Sequence, residues 1–334
     1  MNHMLPRPRF WAETAAQIKP GRTLLGELLI LMLLYLISTF VSSFLLAIPM
    51  TAWTVSTQSS YLLEAMETGL SNQTILTYLL EQMPDWMAVA ALYVYAATGV
   101  AALVYCLKFQ KRSPASMGLR KGGAGEYLLG LLIGLLLAGA VVAVGAAAGG
   151  CKLSADGPAA DQALLCALAL GGCLIRGASL ELLFRGYFAP SLGVRAPVPI
   201  ALISASVISA LLESGGSLFS MLGLNSLLLA LLLGIWVLKR GNLWGACAIH
   251  AAWIFVGSFL FGFAPAGEHA GIRLLDMDTD AFRPLLTGGD FGPEASICAT
   301  VVLLAALALL LALKEKEHVP YTPSETDEQA PKFL

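Results

Sequence analysis

Four charged side chains and one imidazole stand out in this chain because of where they fall. Arg176, Glu181 and Arg185 lie in the stretch Arg176-Gly-Ala-Ser-Leu180-Glu181-Leu-Leu-Phe184-Arg185-Gly186, with long apolar runs on both sides. Glu213 ends another apolar run and His250 sits inside a third. Charge at the centre of a bilayer costs roughly 2.5–3.5 kcal/mol per residue on insertion scales. Left unpaired, the four charges would cost about 10 kcal/mol, as much as the whole stability of a typical domain. They must be paired, hydrated or near a membrane face. Glu181 and Arg185 are four apart on one helical face, in the order that suits an intrahelical ion pair. Arg176 is one turn before Leu180 and about half a turn around the helix from Arg185, so neither arginine can replace the other. It either compensates Glu213, or the two are solvated separately at opposite membrane faces. Carboxylates and an imidazole that meet in a polar cavity could activate water; the same groups could equally hold helices together.

The elements that would position these residues are membrane helices. The chain has 334 residues, of which 57% are hydrophobic and 13% charged, with mean hydropathy +0.75. Soluble domains carry about 25% charged residues, so this is an integral membrane protein. Eight apolar runs approach the ~20 residues needed to cross a bilayer: 24–50, 87–108, 126–148, 162–189, 197–213, 217–238, 242–263 and 295–313. The first is too long for a signal-peptide core and reads as a retained anchor. The predicted fold is an all-α polytopic bundle. Its parts are an N-terminal segment 1–23, a membrane domain 24–314 and a polar, disordered tail 315–334.

Loop charge orients the bundle. With eight spans, 15 basic residues fall on one face, against Lys152, Arg273 and Arg283 on the other. The positive-inside rule then places both termini in the cytoplasm, and the expected location is a bacterial plasma membrane. Segment 51–86 is extracytoplasmic, with helical apolar spacing around Tyr61 and Ile75 that suggests amphipathic helices on the bilayer. Asp276-Met-Asp278-Thr-Asp280 has calcium-loop spacing but lacks that motif's glycine and terminal glutamate, which favours a solvated acidic loop. A net charge of −2 argues against nucleic acid as a partner. The six cysteines form no CxxC pair and read as small buried thiols. With His250 the only histidine inside a span, an all-histidine zinc site is excluded, and the residues call for no cofactor.

The sequence also resembles a known family. Leu180-Glu181-Leu-Leu-Phe184-Arg185-Gly186 resembles the Glu-Glu-x-x-x-Arg motif of the CPBP family, the CAAX-protease and bacteriocin-processing (ABI) intramembrane endopeptidases. Gly241-Asn-Leu-Trp-Gly-Ala-Cys-Ala-Ile-His250-Ala-Ala-Trp is similar to its last motif, His-x-x-x-Asn or Asp. Ser116-Met-Gly-Leu-Arg120 and Tyr127-Leu-Leu-Gly-Leu-Leu-Ile-Gly add to the likeness, which covers about 110–263. The resemblance implies that the first motif glutamate and a histidine activate water while the last His and Asn hold the oxyanion. By position the first glutamate is Leu180, the Phe and His of the family's second motif, Phe-x-x-x-His, are Ser209 and Glu213 in the following span, and the final Asn is Ile254. Only Glu181, Arg185 and His250 remain. Losing one base or one oxyanion donor costs ~10²–10⁴-fold in rate.

The expected function is therefore that of a degenerate member, a pseudoprotease that binds or protects a membrane-embedded peptide or protein client. The alternative is a peptidase with a rebuilt site, in which Glu213 is the base, His250 the acid or oxyanion donor, and Glu181–Arg185 a scaffold. A transporter lacks support, because no repeat symmetry or pair of broken helices is visible.

Overall fold

The apolar runs fold as helices whose ends are set by local chemistry. The computed structural model describes residues 7–18, 23–153, 162–262, 272–275, 277–279 and 283–313. The tail 315–334, residues 1–6 and 19–22 of the N-terminal segment, and residues 264–271, 276 and 280–282 of the acidic 264–293 loop, Asp276 and Asp280 among them, lie outside the described residues. A short amphipathic helix, α1 (Arg9–Gln17), precedes α2 (Leu24–Thr57), which Thr23 caps by accepting from the Gly26 amide at 3.1 Å. Then follow α3 (Ser59–Glu67), α4 (Asn72–Glu81), α5 (Asp85–Phe109), α6 (Ala124–Ala147) and α7 (Gln162–Gly193). The bundle closes with α8 (Val198–Glu213), α9 (Met221–Arg240), α10 (Trp244–Leu260) and α11 (Ile297–Ala312). Ser220 and Ser296 cap α9 and α11, and Gly241, at φ 66°, ends α9 in the left-handed region open to glycine.

All eight expected runs are helical. Five helices (α2, α5, α6, α7 and α9) are long and apolar enough to cross a membrane, and α8, α10 and α11 are shorter apolar helices. The result is an all-α membrane bundle. Two readings change and one holds. The first run extends beyond residue 50, through Pro49, to Thr57, so part of the expected outer segment belongs to the helix. A membrane helix tolerates such a proline where neighbours compensate the lost backbone bond. The two amphipathic stretches do form helices, α3 and α4. Finally, part of the acidic loop is not irregular: Met277–Thr279 pairs antiparallel with Cys151–Leu153.

Close packing at α10 fixes the centre of the molecule. α6 lies against it through Gly130 and Gly134, where an added Cβ would stand 2.4 Å from the Gly245 carbonyl oxygen and 2.7 Å from that of Ile249. On its other side, a Cβ at Gly177 of α7 would meet the Ala251 amide nitrogen at 2.8 Å. Helix association in lipid relies on such small residues, because burial from water supplies no drive there. Asn225 of α9 adds a polar tie, donating to the Glu294 and Ser296 carbonyls at 2.7 and 2.9 Å and accepting from Thr300 at 2.7 Å.

At the end of the bundle that holds the basic residues, Arg112 is buried rather than exposed in a loop. It donates to Thr14 Oγ1 (2.9 Å), to the carbonyls of Ser116 (2.7 Å) and Gly186 (3.0 Å), and to Ser191 Oγ (3.4 Å). Burial lowers its proton affinity below that of an ordinary guanidinium, and these bonds offset that cost. The same end holds Glu27, fully buried, which accepts from Tyr187 Oη at 3.1 Å and Arg195 at 3.3 Å.

Candidate active site

The chemistry-bearing residues converge because three helices deliver them to one depth. In α7 the α-helical hydrogen bonding gives way after Glu181 to a π-helical stretch, Leu182–Phe188, that contains Arg185. Such widened turns frequently occur at functional sites. Glu213 comes from the last turn of α8, and His250 from the tightly packed middle of α10.

Together with Ser209 these side chains form a closed ring. Arg185 Nη1 donates to Glu181 Oε1 at 3.1 Å and to Ser209 Oγ at 3.3 Å, while its Nη2 donates to the Ala230 carbonyl at 2.8 Å. His250 Nδ1 meets Glu181 Oε1 at 2.9 Å, and Nε2 meets Glu213 Oε2 at 3.2 Å. Ser209 Oγ donates to Glu213 Oε1 at 2.8 Å and completes the circuit. A carboxylate only accepts, so both imidazole contacts are satisfied when each ring nitrogen carries a proton. Glu181, Arg185 and His250 are essentially sealed, whereas the Glu213 side chain keeps 22% of its surface open.

That opening faces a cavity of about 320 Å³, whose lining includes Arg176, Leu180, Glu213, His250, Trp253 and Ile254. The four positions that matter by resemblance, Leu180, Glu213, His250 and Ile254, thus stand on one wall-lined space. Arg176 shares it, its guanidinium 4.7 Å from the Tyr95 ring centre. Arg176 and Glu213 therefore share one chamber rather than lying at opposite faces, and the described partners of Glu213 are Ser209 and His250. Ser214, Gly215, Phe291 and Glu294 also line the cavity. Its mouth is therefore at the end of α8 that lies away from the basic loops.

Sequence reading placed Glu181 with Arg185 through their spacing and reached His250 and Glu213 through their rarity. It gave Ser209 no role beyond a substituted position, although Ser209 and Glu213 are also four apart on one face. Nothing in the sequence signals the two tyrosines of the lining, Tyr35 and Tyr95, which come from α2 and α5.

The chain is thus a helical membrane bundle with a polar pocket built from residues of α7, α8 and α10. Residues 162–275 match the Rce1-like family model, described as type II CAAX prenyl endopeptidase Rce1-like. That stretch, which carries Glu181, Arg185, Glu213 and His250, is thus similar to the type II CAAX prenyl endopeptidases. No curated protein and no solved structure gives a match.

Proposed function

We propose that this protein is a degenerate CAAX-endopeptidase-like member that holds a segment of a membrane client instead of cutting it. The observation that carries this reading is the closed ring. Both nitrogens of His250 and both oxygens of Glu213 already have partners, and apolar Leu180 and Ile254 replace a proton acceptor and an oxyanion donor. The charges that would activate water are spent on one another. What remains is a cavity of about 320 Å³ between helices, in the size range of pockets that bind small ligands. Its mouth lies opposite the basic loops, so the client approaches from the extracytoplasmic side if the positive-inside rule holds here.

One observation favours a second reading. Glu213 and His250 meet at 3.2 Å on the cavity wall, and a carboxylate oxygen keeps a second lone pair. In that case Glu213 takes a proton from water as its oxygen attacks a peptide carbonyl, the His250 N–H donates to the resulting oxyanion, and the C–N bond then breaks as Glu213 returns the proton to the leaving amine.

Purified protein tested against membrane peptides separates the two. The degenerate reading expects no cleavage by the wild type above the level of Glu213→Ala and His250→Ala. Cleavage by the wild type that both substitutions abolish would overturn it. Client holding is tested by a photo-crosslinking residue at Ile254, whose adducts with added membrane peptides should disappear when Leu180→Trp fills the cavity.

A further inference from the structure

A second pocket of about 320 Å³ lies at the opposite end of the bundle, where α1, the start of α6 and the α9–α10 turn meet. Arg9, Arg120, Lys121, Arg240, Asn242 and Trp244 are among its lining residues. Four of these are cations; two carboxylates, Glu13 and Glu126, hold three of them, and the fourth, Lys121, is exposed. Glu13 draws two of them together, 3.1 Å from Arg9 Nε and 3.6 Å from Arg120 Nη1. Glu126 takes Arg240 by a two-pronged contact, Nε to Oε2 at 2.9 Å, while that guanidinium stacks over Trp236. The backbone is equally fixed: Trp244 Nε1 donates to the Arg120 carbonyl at 2.8 Å, and an added Cβ at Gly123 would collide with the Trp244 ring. A surplus of positive charge around a hollow, three of its four cations held in place, fits a phosphate.

A separate observation says what kind. The pocket's Glu126 lies in the first turn of α6, and the flank of the helix beside it presents Leu129, Leu132 and Leu136 outward, 37%, 55% and 64% exposed. This stripe, at three- and four-residue spacing, starts one turn from the pocket and runs toward the bilayer centre. It would lie along an acyl chain whose headgroup sits among the cations. We propose that this pocket is a binding site for the phosphate headgroup of an anionic lipid, with the acyl chains along the leucine face of α6. Basic pockets between membrane helices bind such headgroups, and each cation near an anionic surface contributes about fivefold in affinity.

The test is native mass spectrometry of the full-length protein titrated with phosphatidylglycerol, phosphatidylcholine and inorganic phosphate. Phosphatidylglycerol should bind more tightly than phosphatidylcholine. Lys121→Gln, an exposed side chain, should weaken it about fivefold, and Lys121→Gln with Arg120→Gln about 25-fold, with phosphatidylcholine binding unchanged. Equal binding of the two lipids, or wild-type affinity in the Lys121→Gln protein, would overturn the site. Inorganic phosphate competing as well as the lipid would overturn the lipid assignment.

Discussion

Glu181 shares one carboxylate oxygen between Arg185 and His250, so its removal strands two donors at once. Breaking one side of a buried ion pair costs roughly 3–5 kcal/mol. Glu181→Ala should therefore lower yield and melting temperature sharply, and Glu181→Gln, which keeps an acceptor, less so. A folded Glu181→Ala protein with an unchanged melting temperature would argue against a structural role. Ser209→Ala removes the hydroxyl that bridges Arg185 and Glu213. Leaving buried partners unsatisfied costs about 1–3 kcal/mol, so a melting temperature between those of wild type and Glu181→Ala is expected. At this scale the sequence was legible where chemistry is local. The Glu181–Arg185 pair follows from a four-residue spacing. The meeting of His250 with both glutamates does not, because it depends on how α7, α8 and α10 pack, and only the resemblance pointed to it.

Helices were legible because long apolar runs in a bilayer have little choice: the backbone must satisfy its own hydrogen bonds. Their ends and irregularities were less so. The extension of α2 to Thr57 crosses into polar sequence, and the π-helical turn after Glu181 has no composition of its own. The strand pair Cys151–Leu153 with Met277–Thr279 joins segments far apart in sequence, which periodicity cannot connect. The contact that matters most between elements is α6 on α10. Gly134→Leu should push α10 away and lower the melting temperature through His250's helix. Gly139→Leu, on the same helix with no atom within 4 Å of an added Cβ, should leave it nearly unchanged. Equal effects from the two, measured by thermal unfolding in detergent, would show that this seam does not set the position of α10.

Across the whole molecule, the orientation deduced from loop charge predicts which ends cells expose. All six cysteines are buried, so an engineered one reports cleanly. Ser217→Cys, beside the cavity mouth, should react with an impermeant thiol reagent in intact cells, whereas Ala124→Cys, at the basic end, should react only after lysis. The reverse pattern would invert the protein in the membrane. Arg112, read from sequence as a loop charge, is unsuitable as a probe because it is buried. The length of α8 carries a final consequence. Sixteen residues rise about 24 Å, whereas the hydrocarbon core is about 30 Å thick. One response to a short span is local thinning, at a cost of a fraction of a kcal/mol per Å, and the expectation here is that the bilayer thins beside α8. Under the proposed client-holding role, a client helix beside the cavity would then have less hydrocarbon to cross. Reconstitution in bilayers of graded acyl length should give the highest melting temperature with chains shorter than those that suit α2. A monotonic rise with chain length would mean that the bilayer is not pinched there.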